Sequence, residues 1–468
     1  MKRRILAAAL AALMALPLAG CGSPAASPGS ASSSASSGGS GGSQPPVVTR
    51  TALNQPVYPD FPQKPDFGDF EDDWSAYDQA FTEYYDQLSV IRGEGISPET
   101  VQALLDFAGR STPLAMAGME GENTVYSPLS LWAALAMLAQ CAGGESRQQV
   151  LDALGSDGLE SLQGQVAQVW QGLYTDDGAS SLLLANSIWL NSSVEGSYVE
   201  ETLETLAQSY YAGAFAVPMG TAQADQAVTD WVSEQTHGLI GGEEPVVETK
   251  PVTLALLASS LYYKSPWTKE FSESQTWADT FTDAAGEQSQ VDFMHQELNG
   301  AMLTGEDYKA ARLNTHLGEV VFVLPDEGVA PEALLADGSL LSSLDFSDPS
   351  AKTGTIEWSV PKFDVSSELN LLPALEQLGI THLQNPELSD LSPLTSIDAY
   401  LSGAAQMARV KADEEGVEAA AVTILTTDAA VALDESEPLV MDLDRPFLFV
   451  IRTEGVPLFV GVVNQVEG

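Results

Sequence analysis

Two long apolar segments constrain the fold of this chain more than any other feature. They read SLLLANSIWLN, from Ser181 to Asn191, and VTLALLASSLYYK, from Val252 to Lys264. Neither segment alternates strictly between apolar and polar side chains, which is typical of strands that are buried on both faces. A sheet of such strands needs helices on each side. The chain is therefore expected to fold around a large, covered sheet.

Helix signals occupy much of the sequence after about residue 97. The segment SPLSLWAALAMLAQCAGG, from Ser127 to Gly144, is apolar nearly all round and predicts a buried central helix that contains Cys141. The segment SPETVQALLDFAG predicts a helix with Ser97 as its N-cap and Gly109 as its stop signal. With further strand-like segments towards the C-terminus, these signals predict one α+β domain of helices packed on large, mostly antiparallel sheets.

The charge composition limits the classes of molecule that this chain is expected to bind. The chain has 468 residues and carries 65 Asp and Glu against 19 Lys and Arg, a formal net charge of −46. Nucleic acid and anionic lipid both attract basic surfaces, so neither is an expected electrostatic partner. An acidic surface of this kind keeps a secreted protein soluble.

The N-terminus resembles a bacterial lipoprotein signal. Residues 2–4 are basic and precede an apolar stretch that is too short to span a bilayer comfortably, and LAGC follows, ending at Cys21. Residues 1–20 are thus predicted to be a signal peptide, with Cys21 lipidated on the extracellular face of a bacterial membrane. The alternative is an ordinary signal peptide and a released protein. With Cys21 lipidated, Cys141 would have no partner for an intramolecular disulfide.

Residues 21–96 are predicted to connect the anchor to the domain. Gly22 to Ser43 consists almost entirely of Gly, Ser, Ala and Pro, the composition of a flexible linker. The part that follows is acidic and aromatic, and WSAYDQAFTEYYDQL within it fits an amphipathic helix. The sequence assigns this part no function. The domain itself is expected over residues 97–468.

No catalytic or metal-binding motif emerges. The four histidines, His237, His295, His316 and His382, form no H-E-x-x-H pattern. The sequence has no G-x-G-x-x-G or P-loop segment for a nucleotide. GGSGG in the linker matches the G-x-S-x-G pattern of a nucleophile elbow, but it lacks the preceding strand and the following helix that such an elbow needs. A spatial Ser-His-Asp triad is the alternative that the sequence leaves open. Otherwise neither enzyme activity nor a metal or cofactor is expected.

A segment near the C-terminus reads DEEGVEAAAVT, from Asp413 to Thr423. Further segments accompany it in order along the chain: NTVYSPLS at 123–130, ANSIW at 185–189, WV and THG within 231–238, YYKSPW at 262–267, VPKF at 360–363, DRPF at 444–447 and LFVG at 458–461. Together these segments resemble the serpin family, whose reactive-loop hinge has the pattern of residues 413–423. The similarity spans about residue 97 to the end.

The resemblance implies a serpin fold with an exposed reactive loop and the suicide mechanism of that family. A serine protease cleaves the loop, stays acyl-linked to it and is trapped when the freed loop inserts into the main sheet. The implied hinge consists of Glu414, Glu415, Gly416, Val417, Glu418, Ala419, Ala420, Ala421, Val422 and Thr423. In this interpretation Gly416 supplies a bend, and every second residue from Val417 turns inward and must be uncharged.

The family's spacing places the cleaved bond fourteen residues beyond the hinge glycine, between Ala430 and Val431. As a strand, that segment would extend roughly 46 Å. Cleavage at Ala429 or Ala432 remains open. These small residues suit elastase-like or subtilisin-like proteases, and no Lys or Arg for a trypsin-like enzyme occurs between the hinge and Met441.

Two features depart from the family's pattern. The first inward hinge position usually carries Thr or Ser and is Val417 here. The polar cluster that controls sheet opening usually includes an Asn and a His, and the matching set reads Ser127, Ser130, Ser259 and Gln406. The replacements can still form hydrogen bonds. The resemblance favours a monomeric, cell-surface inhibitor that forms a covalent complex with serine proteases. The alternative is a non-inhibitory serpin, a binding or structural protein whose loop is only cut.

Overall fold

The computed structural model describes residues 50–70, 73–194, 196–241, 245–417 and 438–466, and the backbone of residues 10–17. The α-helices within these ranges are α1 (Trp74–Arg92), α2 (Pro98–Ala115), α3 (Pro128–Cys141), α4 (Gly144–Leu154), α5 (Leu159–Leu173), α6 (Glu200–Ser209), α7 (Ala222–Gln235), α8 (Leu340–Ser343) and α9 (Leu372–Gln377). The strands are β1 (Leu10–Pro17), β2 (Thr51–Asn54), β3 (Thr124–Tyr126), β4 (Thr175–Asp176), β5 (Ser181–Asn191), β6 (Ala212–Val217), β7 (Thr253–Pro266), β8 (Thr276–Thr282), β9 (Gln288–Thr304), β10 (Tyr308–Asn314), β11 (Glu319–Pro325), β12 (Lys352–Pro361), β13 (Phe363–Asn370), β14 (Gly403–Ala412), β15 (Gly416–Val417), β16 (Leu439–Asp442), β17 (Phe447–Thr453) and β18 (Val456–Val463).

These strands form two sheets of nine strands each. In the main sheet β13 pairs with β14, β15 and β1 lie between β14 and β7, and β5, β6 and β2 follow. The second sheet runs β16-β12-β9-β10-β11-β17-β18-β3, with β8 beside β9. Only the β5–β6 and β12–β16 pairs are parallel among the described strands. The predicted α+β architecture of helices on large, mostly antiparallel sheets is confirmed.

The main sheet is covered on both faces. On one face α3 packs against β7, and nearly all of its side chains, including those of Trp132 and Leu135, are buried. On the other face Trp231 of α7 packs with Trp189 of β5 and Leu256 of β7. Because both faces are covered, the two apolar segments that become β5 and β7 need no polar alternation.

The predicted helix start at Ser97 is confirmed, and the predicted stop at Gly109 is wrong. The hydroxyl oxygen of Ser97 accepts a hydrogen bond from the backbone N–H of Thr100 at 3.2 Å. α2 then continues through Gly109 to Ala115. A Cβ at Gly109 would lie 2.4 Å from the carbonyl oxygen of Gly338. The glycine therefore permits a close approach between two backbone segments and does not end the helix.

The N-terminal extension, residues 50–70 and 73–92, packs along the edge of the main sheet. β2 pairs with β6 and adds a strand to that edge. Tyr58 stacks on Trp170 of α5, with ring centroids 5.0 Å apart. Arg50 forms a 2.6 Å salt bridge with Glu234 of α7. The amphipathic helix predicted in this part is α1. The extension is thus bound to several elements of the domain.

Candidate functional site: the hinge and the slot in the main sheet

The chain reverses direction where β14 ends. Ala412, the last residue of β14, pairs with Val417 of the returning strand β15. Between them the backbone N–H of Asp413 donates a hydrogen bond to the carbonyl of Gly416 at 3.1 Å. Asp413 to Glu415 therefore make the turn, and the carboxylates of the hinge lie within it.

Gly416 has a different role from the bend that the sequence suggested. It pairs with Pro266 of β7. A Cβ at position 416 would lie 2.5 Å from the carbonyl oxygen of Ser265 and 2.7 Å from the Cα of Pro266. Only a residue without a Cβ fits such a close approach to the neighbouring backbone. The carboxylate-bearing turn makes the bend, and Gly416 lets β15 enter beside β7.

Val417 is already part of the main sheet. Its backbone pairs with Ser265 of β7 and with Ala412 of β14, and the residue is only 4% exposed. Its side chain belongs to the main core cluster, as do those of Ala412 and Val410 on β14. The side chain therefore faces inward, and the core accommodates an apolar Val where the family usually has Thr or Ser.

The backbone of the turn is bound to the segment that follows β7. The backbone N–H of Trp267 donates to the carbonyl of Glu415 at 3.0 Å, and that of Phe271 donates to the carbonyl of Glu414 at 2.9 Å. The indole N–H of Trp267 donates to the carbonyl of Asp413 at 2.9 Å. Three successive carbonyl groups are thus hydrogen-bonded, which fixes the place where β15 begins.

A salt bridge also holds the turn. Glu414 lies 3.0 Å from the ammonium nitrogen of Lys362, which follows β12. Burial acts to raise the pKa of Glu414, but hydrogen bonds, above all the one from Lys362, outweigh this effect and hold the pKa below its ordinary value of 4.5. Asp413 forms a second salt bridge with Lys411 at 2.7 Å. Two carboxylates of the turn are therefore paired with lysines.

A slot in the main sheet continues the path of β15. We define the slot as the position between β7 (Thr253–Pro266) and β14 (Gly403–Ala412). β15 lies in the slot at one end and β1 lies in it farther along. Both are antiparallel to the two flanking strands. The main sheet therefore accommodates an additional central strand at this position.

The predicted polar cluster is divided by the slot. The buried side chain of Gln406 accepts a hydrogen bond from the backbone N–H of Ser127 at 2.8 Å and donates to the carbonyl of Ser127 at 3.0 Å. The hydroxyl oxygen of Ser127 accepts from the backbone N–H of Ser130 at 3.2 Å and caps α3. Ser259 makes no side-chain hydrogen bond to these three among the described residues. It lies across the slot on β7, where Ala12 of β1 pairs with both Ser259 and Gln406.

Other predicted site residues lie outside the described residues. These are the lipid attachment residue Cys21, the hinge residues from Glu418 to Thr423, and the reactive-bond candidates Ala429, Ala430, Val431 and Ala432.

Sequence reasoning missed three contributors to the site. Lys362 and Trp267 belong to quoted segments, but their contacts with the turn join residues far apart in the chain, and no local pattern shows such contacts. Residues 10–17 were assigned to the leader alone and here form β1. The available signal was a short uncharged apolar run, which fits a buried strand as well as a leader.

The described residues show no second site with evident chemistry. They contain no group of three or more His, Cys, Asp or Glu side chains that could hold a metal ion. None of their helices is both long and apolar enough to cross a membrane. Burial raises the pKa of the Cys141 thiol to about 12, so this cysteine is an unreactive core residue.

Comparisons with known proteins agree with this geometry. The family model described as Serpin (serine protease inhibitor) matches residues 103–466. Serpin-ZXA of Oryza sativa subsp. japonica is 30% identical over 395 residues, which cover 79% of this chain and 97% of the rice protein. A serine protease inhibitor of Cyanea capillata is 26% identical over 361 residues, covering 73% of this chain and 92% of that protein. The native-state crystal structure of tengpin, a thermophilic serpin, matches with a TM-score of 0.68 and 25% identity, over 80% of this chain and 95% of tengpin.

The matched region begins within α2 and ends after β18, so it contains the slot, the hinge turn and the polar cluster. The family is one of serine protease inhibitors and not of enzymes, as the sequence led us to expect. The chain belongs to the serpin family.

Proposed function

We propose that this chain is a suicide inhibitor of serine proteases. A protease cleaves the loop that follows β15 and becomes acyl-linked to it, and the freed loop then extends β15 through the slot. The observation that carries the proposal is the docked hinge. Gly416 and Val417 already lie between β7 and β14 in the antiparallel sense that insertion requires.

The free energy available from insertion supports this mechanism. A new central strand gains main-chain hydrogen bonds on both sides, each worth about 0.5–1.5 kcal/mol. A strand of roughly a dozen residues adds on the order of 10 kcal/mol, less the cost of ordering the loop. That is comparable with the whole free energy of unfolding of an ordinary domain. Insertion is therefore strong enough to drive the displacement of a protease.

The proposed target class follows from the loop sequence. With the reactive bond at Ala430–Val431, or cleavage at Ala429 or Ala432, small residues occupy the primary pocket of the protease. Elastase-like and subtilisin-like enzymes have shallow apolar pockets of this kind. Lipidation of Cys21 would place the inhibitor on the extracellular face of a bacterial membrane, where it meets secreted proteases.

The test uses protein recovered after export from a bacterial host. Pancreatic elastase and subtilisin should each give a covalent complex that survives boiling in detergent, and trypsin should give none. Protein cut near Ala430 should melt at a higher temperature than intact protein, because the loop completes the sheet. Mass spectrometry of the cut protein locates the cleaved bond.

Cleavage of the loop without trapping of the protease would indicate the alternative function. If elastase and subtilisin only clip the loop, and the melting temperature stays the same or falls, the chain is a non-inhibitory serpin that serves as a binding or structural protein.

A further inference from the structure

β1 occupies the slot in a defined register with the hinge. On β14, Val417 pairs with Ala412 and Ala11 pairs with Met407, which lies five residues earlier on that strand. A strand that continued antiparallel from Val417 would reach Met407 with Val422, five residues later. Ala11 therefore occupies the position that Val422 would take in an extended β15.

The opposite side of the slot gives the same register independently. On β7, Val417 pairs with Ser265 and Ala11 pairs with Ser260, again five residues earlier. Val422 would reach Ser260 on an extended β15. Because both flanking strands agree, residues 10–16 occupy the backbone positions that residues 421–427 would take in an extended β15.

The two segments share the chemistry that the slot requires. Residues 10–16 read LAALMAL and residues 421–427 read AVTILTT. Neither contains a charged residue, a proline or a glycine. An uncharged strand avoids the large cost of burying an unpaired charge in a covered sheet, and a strand without proline keeps all its backbone donors. Either segment can therefore fill this part of the slot, but both cannot fill it at once.

The sequence at the end of β1 explains why the strand stops there. Its register with β7 shifts between Leu16 and Pro17, where the strand stops. Proline lacks the backbone N–H that a further sheet pairing would use. Residues 18–49 then connect β1 to the N-terminal extension, and a segment of that length can reach up to roughly 110 Å when extended.

We propose that residues 10–17 are an internal occupant of the slot, so that the chain cannot trap a protease until this segment is removed. The inference rests on the proposed function and concerns its regulation. While β1 is in place, a cleaved loop has no path past residue 420, and the protease is released by hydrolysis. Cleavage before Cys21 during export removes the occupant. The inhibitor then becomes competent only outside the cell.

The experiment compares full-length chains made without export, so that residues 1–20 are retained, which mass spectrometry verifies. Leu13 pairs with Ala258 on one side and Ala405 on the other. Leu13→Pro removes a backbone donor and disrupts β1, and Ala12→Pro does the same for the neighbouring donor, which points to the other flanking strand. Ser33→Pro, in the linker, is the matched control. The probe is subtilisin, with the detergent-stable complex and the melting temperature as readouts.

We expect the unexported wild-type chain and Ser33→Pro to be cut with little trapping and to melt at a high temperature. Leu13→Pro and Ala12→Pro should melt at a lower temperature and trap at least about tenfold more protease per cleavage, because only chains with an open slot are competent. Equal trapping and equal melting temperatures in all four chains would overturn the inference and leave the proposed function intact. A lower melting temperature in the two β1 variants, with no trapping by any chain or by the exported protein, would support the slot assignment and overturn the inhibitory function.

Discussion

Ser259 and Gln406 lie at the same level of the main sheet on opposite sides of the slot. Each pairs with the same residue of β1, Ala12. Gln406 is hydrogen-bonded to Ser127 at the start of α3, whereas Ser259 lies on β7, which pairs with β5. A strand in the slot thus separates β14, whose Gln406 is hydrogen-bonded to the first turn of α3, from the flank formed by β7 and β5, of which β7 also packs against α3. The two residues therefore mark the two sides of the slot.

The first prediction concerns the anchor of β14 on α3. Gln406→Leu removes both hydrogen bonds to the backbone of Ser127, whose N–H and carbonyl groups are buried. The change leaves the buried N–H of Ser127 unpaired at a cost of about 1–3 kcal/mol, whereas the carbonyl of Ser127 keeps a 3.4 Å hydrogen bond from the backbone N–H of Leu131. The free energy of unfolding should therefore fall by roughly 2–4 kcal/mol in urea denaturation. Ser259→Ala is the control and should cost less than about 1 kcal/mol. Equal losses in the two variants would contradict the asymmetry of the cluster.

The second prediction concerns the entry of the hinge into the slot. In Gly416→Ala the new Cβ would lie 2.5 Å from the carbonyl oxygen of Ser265, so β15 must move away from β7. Overpacking of this kind costs about 1–3 kcal/mol. Hydrogen exchange at the backbone amides of Trp267 and Phe271 should accelerate about tenfold or more, because their acceptors lie in the turn. Gly354→Ala, whose Cβ meets nothing closer than 3.9 Å, should leave both amides protected.

The third prediction concerns the inward position of Val417. Val417→Arg should bury an unpaired charge in the core at a cost of several kcal/mol. Cleavage of the loop by subtilisin should continue, but the covalent complex should disappear. Val417→Thr carries the residue usual in the family and should keep the complex. Ala419→Glu, which alters the next inward position, should behave like the arginine variant. Unchanged trapping by Ala419→Glu would mean that this side chain never enters the sheet, and unchanged trapping by Val417→Arg would contradict the need for an uncharged residue at position 417.

The fourth prediction concerns pH and the Glu414–Lys362 salt bridge. The folded pKa of Glu414 lies below its ordinary value of 4.5, so the ionised form stabilises the fold. This contribution is fully present above about pH 4.5 and is lost as the pH falls through the lower folded pKa. The free energy of unfolding of wild type should exceed that of Glu414→Gln at neutral pH, and the difference should shrink in acid. A difference that is independent of pH would show that the carboxylate charge is not the cause. Glu415→Gln, in the same turn and without a salt bridge among the described residues, is the control.

The fifth prediction concerns the N-terminal extension. Tyr58 stacks on Trp170 with ring centroids 5.0 Å apart and also lies 6.3 Å from the ring of Tyr211. Tyr58 is 45% exposed, so Tyr58→Ala should lower the free energy of unfolding by about 1–2 kcal/mol, mainly through the lost ring contacts. Trp74 is 65% exposed, and among the rings of the described residues it contacts only Phe67 and Tyr77 of the extension, so Trp74→Ala should have a smaller effect. The reverse order would indicate that the extension does not brace the domain through Tyr58.

Much of the secondary structure around the site could be predicted because it depends on neighbours in the sequence. The apolar run from Ser181 to Asn191 forms β5 with the same two end residues. Ser127 caps the buried helix α3 as its position before a proline suggests. Glu454 and Gly455 both take positive φ angles, 52° and 80°, in the hairpin between β17 and β18. These features follow from side-chain period, caps and turn chemistry, which are local properties.

The sequence by itself determined the family, and it predicted the position of the hinge and the need for uncharged residues at the inward positions of that hinge. Only the tertiary structure decided what holds these residues in place. The close approach of the β7 backbone requires a glycine at position 416. Glu414 forms a salt bridge with Lys362 of another segment, and Gln406 forms a hydrogen bond with Ser127, which lies 279 positions away in the chain. The place of residues 10–17 in the main sheet is of the same kind. Such contacts depend on which distant backbones the fold brings within a few ångströms, and no local pattern carries that information.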